Sequence, residues 1–224
     1  MMVNQVEGIL LDMDGLLINS ETLSAEAWII AANAQDVVVD NEFCSNLIGL
    51  NSKDCDGKFQ SQFPSLDLAR LRSDWERETV DMINRGRLTL LPGVEQFLLE
   101  LQNRDIPHIV ATSSQRDLAI KKLCEVGLGR LADQAVTGDQ VRRGKPAPDI
   151  FIEGMNRLNL APRQCFVFED SDAGVKAGIS AGARVVMVPG MKVPSDELRD
   201  HADVTVVERI DQSFQLSFFE GRLR

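Results

Sequence analysis

The chain has 224 residues, a mass of 24.8 kDa and a formal net charge of −10 at pH 7. This length fits one large domain or a main domain with a smaller insert. The negative charge argues against a nucleic acid partner, because phosphate backbones are bound by clustered Lys and Arg. No apolar run reaches the roughly 18 residues that span a bilayer, and no signal-peptide pattern is present. The expected location is therefore the cytoplasm, away from membranes.

The first predicted element is a strand at residues 9–11, an apolar run typical of a strand buried on both faces. Asp12 and Asp14 follow at its carboxyl end, where open α/β sheets bind ligands, and Gly15 permits a sharp turn. Two adjacent carboxylates repel each other, so they favour a cation such as Mg²⁺, which prefers oxygen ligands. The alternative is a simple strand-to-turn junction, since Asp and Gly are common in turns.

The next seventy or so residues are mostly helical in pattern, with runs at residues 22–34 and 66–83. Their only β-branched cluster is residues 37–39. From residue 91 onward, strand and helix patterns alternate in the manner of βαβ units. The predicted strands are residues 106–112, 134–137, 165–168, 183–188 and 204–207, and the predicted helices are residues 94–103, 115–126, 149–158 and 172–181.

These elements predict an α/β fold with a Rossmann-like parallel sheet and helices on both faces. The core is expected to comprise residues 1–16 and 91–224, with a small helical domain at residues 17–90 inserted after the first strand. Residues 17–21 and 85–91 would form the two hinges.

Two further strands end in polar residues at the edge of the sheet that carries Asp12. The strand at residues 106–112 ends in Thr112-Ser113-Ser114, whose hydroxyl and N–H groups suit an anionic oxygen. Ser113 or Ser114 could instead, or also, cap the next helix.

The strand at residues 165–168 is followed by Glu169-Asp170-Ser171-Asp172, in which three of four residues are acidic. We interpret this segment as functional, with Asp172 also capping the next helix. That helix carries small residues that permit close packing on the sheet: Gly174, Ala177, Gly178 and Ala181.

Lys145, between Gly144 and Pro146 on a predicted loop, supplies the cation that an anionic substrate requires. A lone lysine is usually a solvated surface residue, and the loop alone leaves both interpretations open. Together with the acids and hydroxyls at the strand ends, however, the set fits phosphoryl transfer through an aspartyl-phosphate.

The cysteines and histidines are not placed for chemistry. Neither His108 nor His201 lies in a catalytic context, so general-base chemistry is expected from a carboxylate. The four cysteines are widely spaced and show no metal-binding pattern: Cys44, Cys55, Cys124 and Cys165. We expect them to be small buried residues in a reducing compartment.

The chain resembles the haloacid dehalogenase-like superfamily, specifically its β-phosphoglucomutase-like phosphatase branch. The resemblance covers nearly the whole chain and rests on four elements in family order: Asp12-Met13-Asp14-Gly15, Thr112, Lys145 and Glu169-Asp170. It implies that the helical insert is a cap domain, which closes over the substrate, excludes water and sets specificity. One departure is Leu16, which replaces a threonine that is frequent in the family.

The resemblance also implies residue roles. Asp12 would be the nucleophile, and Asp14 the general acid toward the leaving alcohol and then the base for water. Mg²⁺ would be bound by Asp12, by Asp170 and by the backbone carbonyl of Asp14. Glu169 would lie in or near the shell of residues that surrounds these ligands. The residues expected to hold the phosphate are Thr112, the Ser113 backbone and Lys145. The expected partner is a small phosphorylated metabolite, and the expected state is a monomer.

Other branches of the superfamily fit less well. Haloalkanoic acid dehalogenases and phosphonoacetaldehyde hydrolases lack the second acid, here Asp14, and Lys53 is shifted from the cap lysine of the latter, so we expect it to be solvated. β-Phosphoglucomutases use a hinge histidine and a cap arginine, where this chain has Ser24 and Ser52. We therefore predict a phosphatase of a sugar or polyol phosphate. A mutase and a catalytically idle sensor of a phosphorylated metabolite remain the alternatives.

Overall fold

The computed structural model describes residues 6–47, 52–190, 195–217 and 219. The chain divides into two compact units, Met1–Ile18 with Leu90–Arg224, and Asn19–Thr89. We call these the sheet unit and the helical unit. In the described part of the chain, no helix is both long and apolar enough to cross a membrane.

Among the described residues, the sheet unit has six parallel strands: β1 (Gly8–Leu11), β2 (His108–Thr112), β3 (Val136–Thr137), β4 (Cys165–Glu169), β5 (Arg184–Met187) and β6 (Val204–Val206). They lie side by side in the order β3-β2-β1-β4-β5-β6. The predicted α/β class with a Rossmann-like parallel sheet is therefore confirmed. Strand order runs outward from β1 in both directions, which makes the carboxyl ends of the central strands the expected ligand position.

Helices cover both faces of this sheet. On one face, Leu10 and Val167 belong to a core that includes Phe151 and Val175 from two of the helices. On the other face, Phe97 packs against Phe168, with ring centroids 5.0 Å apart. Because both faces are covered, β1 and β4 are buried along their whole length, which explains their continuous apolar sequences. The helices of this unit are Val94–Asn103, Arg116–Glu125, Gly129–Ala132, Asp149–Leu158, Asp172–Ser180 and Asp196–Arg199.

Four predicted strands, β2, β3, β5 and β6, are shorter than expected by one or two residues each. β2 begins at His108 rather than at residue 106, because Pro107 has no N–H to donate to the neighbouring strand. The Pro107 carbonyl still accepts a hydrogen bond from Ile9 N at 2.9 Å. β3 comprises only Val136 and Thr137, after which a 3₁₀ turn (Gly138–Gln140) begins.

The helical unit contains four helices, α1 (Ser20–Asn33), α2 (Asn41–Ser45), α3 (Ser52–Gln62) and α4 (Leu68–Asn84), among the residues described. Its apolar core is built around the rings of Trp28, Phe43 and Phe59. The β-branched cluster at residues 37–39 forms no strand. It follows a turn in which Asp36 has a positive φ of 58° and Val37 N bonds back to Ala32 O.

The turn predicted after β1 is confirmed at Gly15, whose φ is +87°. Such a value strains any residue with a Cβ, so glycine is required at this position. Gly15 N donates to Ile18 O at 3.0 Å, and Leu17 O accepts from Leu91 N at 2.9 Å. The chain therefore leaves the sheet unit and re-enters it at neighbouring points, and Leu16 is buried within the turn.

Candidate active site

Three adjacent central strands place polar residues at one edge of the sheet. Asp12 follows β1, Thr112 ends β2 and Glu169 ends β4. Asp12 N donates to Phe168 O at 3.0 Å, which fixes the backbone of the aspartate against the neighbouring strand. The edge is the carboxyl edge of the parallel strands, where ligands bind in folds of this type.

The first part of the site is a buried cluster of Asp12, Lys145 and Glu169, which we call the Asp12 cluster. The Lys145 ammonium donates to Asp12 Oδ1, to Glu169 Oε1 at 2.6 Å and to the carbonyl of Ala111 at 3.2 Å. The side chains of Lys145, Asp12 and Glu169 are only 7%, 8% and 0% exposed. Lys145 is therefore an inward-facing residue of the site and not a solvated one.

The Glu169 carboxylate is fixed from its second oxygen as well. Oε2 accepts hydrogen bonds from Asp170 N, Ser171 N and Ser171 Oγ, each at 3.0 Å. The helix Asp172–Ser180 passes so close that a Cβ built on Gly174 would overlap this carboxylate. The absence of a side chain at Gly174 therefore leaves space for the buried Glu169 carboxylate. At Gly178 an added Cβ would instead contact side chains of the sheet such as Val167, in agreement with the predicted close packing on the sheet.

Asp172 was expected to cap this helix, and that prediction is wrong. The N-cap residue is Ser171, whose hydroxyl accepts from Gly174 N at 3.1 Å. Asp172 lies in the first turn, and its Oδ1 accepts from Ser195 N at 3.4 Å. Ser and Asp are about equally good caps, so the one-residue offset could not be read from residue type.

The second part of the site surrounds Asp14, and we call Asp14, Thr112, Ser114 and Lys122 the Asp14 cluster. Asp14 Oδ2 accepts from Ser114 Oγ at 2.8 Å and from Thr112 Oγ1 at 3.3 Å. Asp14 Oδ1 accepts from Lys122 Nζ at 2.5 Å. The Asp14 side chain is 26% exposed, in contrast to that of Asp12. The cluster leaves this acid closer to solvent than its neighbour.

The serines after β2 do not cap the next helix. The N-cap residue of Arg116–Glu125 is Gln115, without a side-chain cap bond. The Ser114 hydroxyl is used by Asp14 instead, while Ser114 N donates to Thr112 Oγ1 at 3.1 Å. Ser113 is exposed at this turn, and Ser114 O accepts from Gly138 N at 3.0 Å, which joins the turn to the end of β3.

Lys122 is the residue of this edge that sequence reasoning missed. It lies on a helix, in a Lys121-Lys122 pair that gives no indication of which side chain turns inward. Its side chain is 10% exposed, whereas Lys121 is exposed. Only the helical spacing indicated that Lys122 faces inward, because it lies three residues after the buried Ala119 and next to the buried Leu123.

The charges of the site are unbalanced. Burial raises the pKa of the Asp12 carboxyl well above its usual range, and the carboxylates of Glu169 and Asp14 raise it further against the opposing effect of Lys145. Burial lowers the pKa of Lys145, but the attraction of Asp12 and Glu169 outweighs it, so the pKa of this lysine is raised. One ammonium group therefore serves two buried carboxylates, and additional positive charge at this edge would be favourable.

The residues present fit a hard divalent cation such as Mg²⁺. Asp170 is buried at 4% exposure, and a Cβ built on Gly190 would lie 3.0 Å from Asp170 Oδ2 and 3.5 Å from the carbonyl of Gly15. Asp170 therefore lies near the turn that follows Asp14. Among the described residues, no three His, Cys, Asp or Glu side chains are grouped to hold a metal. Mg²⁺ usually takes only one or two carboxylates, with water and phosphate oxygens completing its shell, so a backbone carbonyl and two acids suffice.

Other residues considered in the sequence analysis have the following surroundings. Lys53 is exposed, as expected, and the Ser24 carbonyl and hydroxyl accept from Trp75 Nε1 at 3.3 and 3.2 Å. The side chain of Ser52 and residues 48–51 are outside the described part of the chain. His108 contacts Ile106 O through Nδ1, and His201 Nδ1 accepts from Asp203 N.

The cysteines are all free, and three of them are buried as predicted, whereas Cys124 is exposed. Burial raises the pKa of the Cys44 and Cys165 thiols to about 11, which leaves them as inert apolar groups near neutral pH.

Comparison with known proteins identifies the family. Residues 9–188 match the family model of the haloacid dehalogenase-like hydrolases, a span that contains β2 to β5, all of β1 except Gly8, and both clusters of the site. The chain belongs to this family. The predicted resemblance is therefore confirmed, and the chain is a haloacid dehalogenase-like hydrolase.

Two relatives and one solved structure illustrate the match over nearly the whole chain. A Drosophila melanogaster protein named "Probable pseudouridine-5'-phosphatase" is 31% identical over 221 residues, covering 93% of this chain and 92% of that protein. Hexitol phosphatase A of Escherichia coli is 28% identical over 207 residues and covers 92% of each chain. The crystal structure of a "putative beta-phosphoglucomutase" from Thermotoga maritima has a TM-score of 0.77, is 25% identical, and covers 94% of this chain and 97% of that one.

Proposed function

We propose that this hydrolase is a Mg²⁺-dependent phosphatase that cleaves a small phosphate monoester through an aspartyl-phosphate on Asp12. The observation that carries the proposal is the Asp12 cluster: a buried carboxylate at the end of β1, bonded to a buried lysine that also holds Glu169. Two of the relatives named above, the Drosophila melanogaster and Escherichia coli proteins, are named as a probable phosphatase and a phosphatase, which supports the class of phosphoric monoester hydrolase.

In the first half of the reaction, an Asp12 carboxylate oxygen attacks the phosphorus as the bond to the leaving oxygen breaks. The Lys145 ammonium would balance charge on the phosphoryl oxygens, and Thr112 with the Ser113 backbone would hold these oxygens from the β2 side. Bound Mg²⁺, held by Asp12, the Asp14 carbonyl and Asp170, would neutralise repulsion between the phosphate dianion and the Asp12 carboxylate. Glu169 keeps Lys145 in place.

Asp14 would act on protons in both halves. It donates a proton to the leaving alcohol oxygen, and then accepts one from the water that hydrolyses the aspartyl-phosphate and releases inorganic phosphate. Its partial exposure and its hydrogen bonds to hydroxyl groups suit proton exchange better than the buried surroundings of Asp12 do.

The substrate we propose is a sugar or polyol phosphate. Support comes from the names of two relatives, a pseudouridine-5'-phosphatase and a hexitol phosphatase, both of which refer to phosphate on a polyhydroxylated carbon skeleton. We assign the choice among such esters to the helical unit, in the role of a cap domain, by analogy with the family.

A phosphosugar mutase is the second candidate, because the Thermotoga maritima structure is described as a β-phosphoglucomutase. A mutase must retain a doubly phosphorylated intermediate. At the position where such enzymes carry a hinge histidine this chain has Ser24, which is engaged by Trp75 of its own helical unit. This difference favours hydrolysis.

The proposal is tested by inorganic phosphate release from a panel of sugar, polyol, nucleotide and glycolate phosphates, with Mg²⁺ and with EDTA. We expect release that requires the metal and is fastest with a sugar or polyol phosphate. Absence of release from every ester by folded protein would contradict the proposal, and conversion of β-glucose 1-phosphate to glucose 6-phosphate would then support the mutase.

A further inference from the structure

Lys122 is a buried lysine that donates a hydrogen bond to Asp14, an acid from a distant part of the chain. Its ammonium group lies 2.5 Å from Asp14 Oδ1, across 108 positions of sequence, and its side chain is 10% exposed. Lysine side chains are almost never this buried unless they are paired. The adjacent Lys121 is exposed, so the helix Arg116–Glu125 directs one of two consecutive lysines toward the site.

A purely structural ion pair accounts poorly for this arrangement. Removing charge from water offsets much of the attraction between the two groups, so a pair with one buried and one partly exposed partner adds little net stability. The pair is also not isolated, because Ser114 and Thr112 donate to the other oxygen of the same carboxylate. Hydrogen bonds to both oxygens fix the plane of the Asp14 carboxyl group, which a single donor cannot do.

We propose that Lys122 is a positioning residue for Asp14, which it holds in the orientation that delivers a proton to the leaving oxygen. The inference rests on the proposed function and extends it to a residue of the helix that follows β2. In the step concerned, the bond from phosphorus to the leaving oxygen breaks, its electron pair stays on that oxygen, and the Asp14 proton is transferred to it while Asp12 bonds to phosphorus. Lys122 itself loses and gains no proton.

This role makes the effect of Lys122 dependent on the leaving group. An alkyl alcohol is a poor leaving group and needs the proton of a general acid, whereas 4-nitrophenolate leaves without one. Lys122→Met, which removes the charge and keeps the length of the side chain, should therefore lower kcat/KM for an alkyl phosphate by roughly tenfold to a hundredfold. The same variant should lower it for 4-nitrophenyl phosphate by about threefold at most.

Four further variants test whether the effect passes through Asp14. Lys121→Met, the exposed neighbour, should behave like the wild type, and Lys122→Arg should restore part of the alkyl phosphate activity. Asp14→Asn should show the same leaving-group pattern with a larger loss. In the double variant Asp14→Asn/Lys122→Met, the second substitution should add nothing, because both act on one function. Additive losses, or equal losses on both substrates, would overturn the proposal.

A binding measurement separates positioning from direct contact with the substrate. Thermal unfolding with Mg²⁺ and inorganic phosphate should show the same phosphate-induced stabilisation in Lys122→Met as in the wild type. Loss of this stabilisation would mean that Lys122 binds phosphate and would overturn the positioning role. Failure of the wild type to hydrolyse either ester would contradict the proposed function, whereas an active wild type and an unchanged Lys122→Met would contradict this inference alone.

Discussion

The Asp12 cluster and the Asp14 cluster are built around aspartates two residues apart, but they hold them in different ways. Asp12 is buried, and its lysine partner is shared with Glu169, a second buried acid fixed by three further hydrogen bonds. Asp14 is partly exposed and is held by two hydroxyl groups and by Lys122, a lysine that comes from a helix rather than from a loop.

The difference indicates how one sheet edge can give two identical side chains separate tasks. In the proposed mechanism the nucleophile must be aligned with the phosphorus, and the buried surroundings of Asp12 would provide that alignment. A general acid and base must exchange protons with the leaving alcohol and with water, which partial exposure permits. Substitutions in the two clusters should therefore differ in their effects on activity and on stability.

The largest effect on activity is expected for Asp12→Asn. An amide of the same shape cannot form the acyl phosphate, so kcat should fall by roughly 10⁴-fold or more. The stability of the variant should not be lower than that of the wild type. Burial raises the pKa of Asp12, so folding disfavours the charged form of this side chain, and a neutral amide removes that cost. Thermal unfolding and phosphate release measured on the same preparation check both statements. A rate close to that of the wild type would remove Asp12 as the nucleophile.

Lys145→Ala should reduce both activity and stability. The substitution removes a charge that stabilises the transferring phosphoryl group, so kcat/KM should fall by roughly 10²–10³-fold. It also leaves Glu169 and Asp12 buried without their cation, which should cost about 3–5 kcal/mol of unfolding free energy. Denaturant unfolding measures this cost. A variant as stable as Asp12→Asn would show that Lys145 does not hold the Asp12 cluster together.

Much of the site could be predicted because parallel strands bring their carboxyl ends to one edge. Asp12, Thr112 and Glu169 each stand directly at the end of an apolar run, so sequence position alone indicated that they would meet. Lys145 was harder to place, since it lies on a loop, and its direction is set by two buried acids that attract it.

Lys122 could not be singled out from sequence for the opposite reason. A lysine on a helix is usually solvated, and its inward direction depends on how the helix Arg116–Glu125 is rotated against the sheet. The predicted ends of strands were wrong for local reasons, such as the missing N–H of Pro107. The predicted N-cap was wrong by one residue, because Ser171 and Asp172 are residue types that differ little in capping preference. The order of strands and helices could be predicted from the hydrophobic pattern of the sequence. The rotation of a helix about its axis and the exact first residue of an element depend on packing.

Gly174→Ala tests whether the Asp12 cluster depends on the close approach of a helix. The new methyl group would overlap the Glu169 carboxylate, and moving it should cost about 1–3 kcal/mol of stability. Because Glu169 holds Lys145, kcat/KM should also fall, by roughly tenfold to a hundredfold.

Gly57→Ala is the matched control, since Gly57 is an exposed glycine within α3 and has nothing within 4 Å of an added Cβ. This variant should be stabilised by up to about 1 kcal/mol through helix propensity, with no change in activity. Equal behaviour of the two variants in unfolding and phosphate release would show that the space at Gly174 is not needed for Glu169.

The smallest effect is expected for Ser114→Ala in the Asp14 cluster. The variant removes the 2.8 Å hydrogen bond to Asp14 Oδ2 but leaves Thr112 on the same oxygen and Lys122 on the other, so the carboxylate keeps a donor on each side. We expect kcat/KM for an alkyl phosphate to fall by about tenfold or less, with little change for 4-nitrophenyl phosphate and in thermal unfolding. A loss as large on the aryl ester would place Ser114 on the phosphate instead. Ser114 would then join Thr112 as a second residue of the Asp14 cluster that binds phosphate, and its assignment to proton transfer would fail.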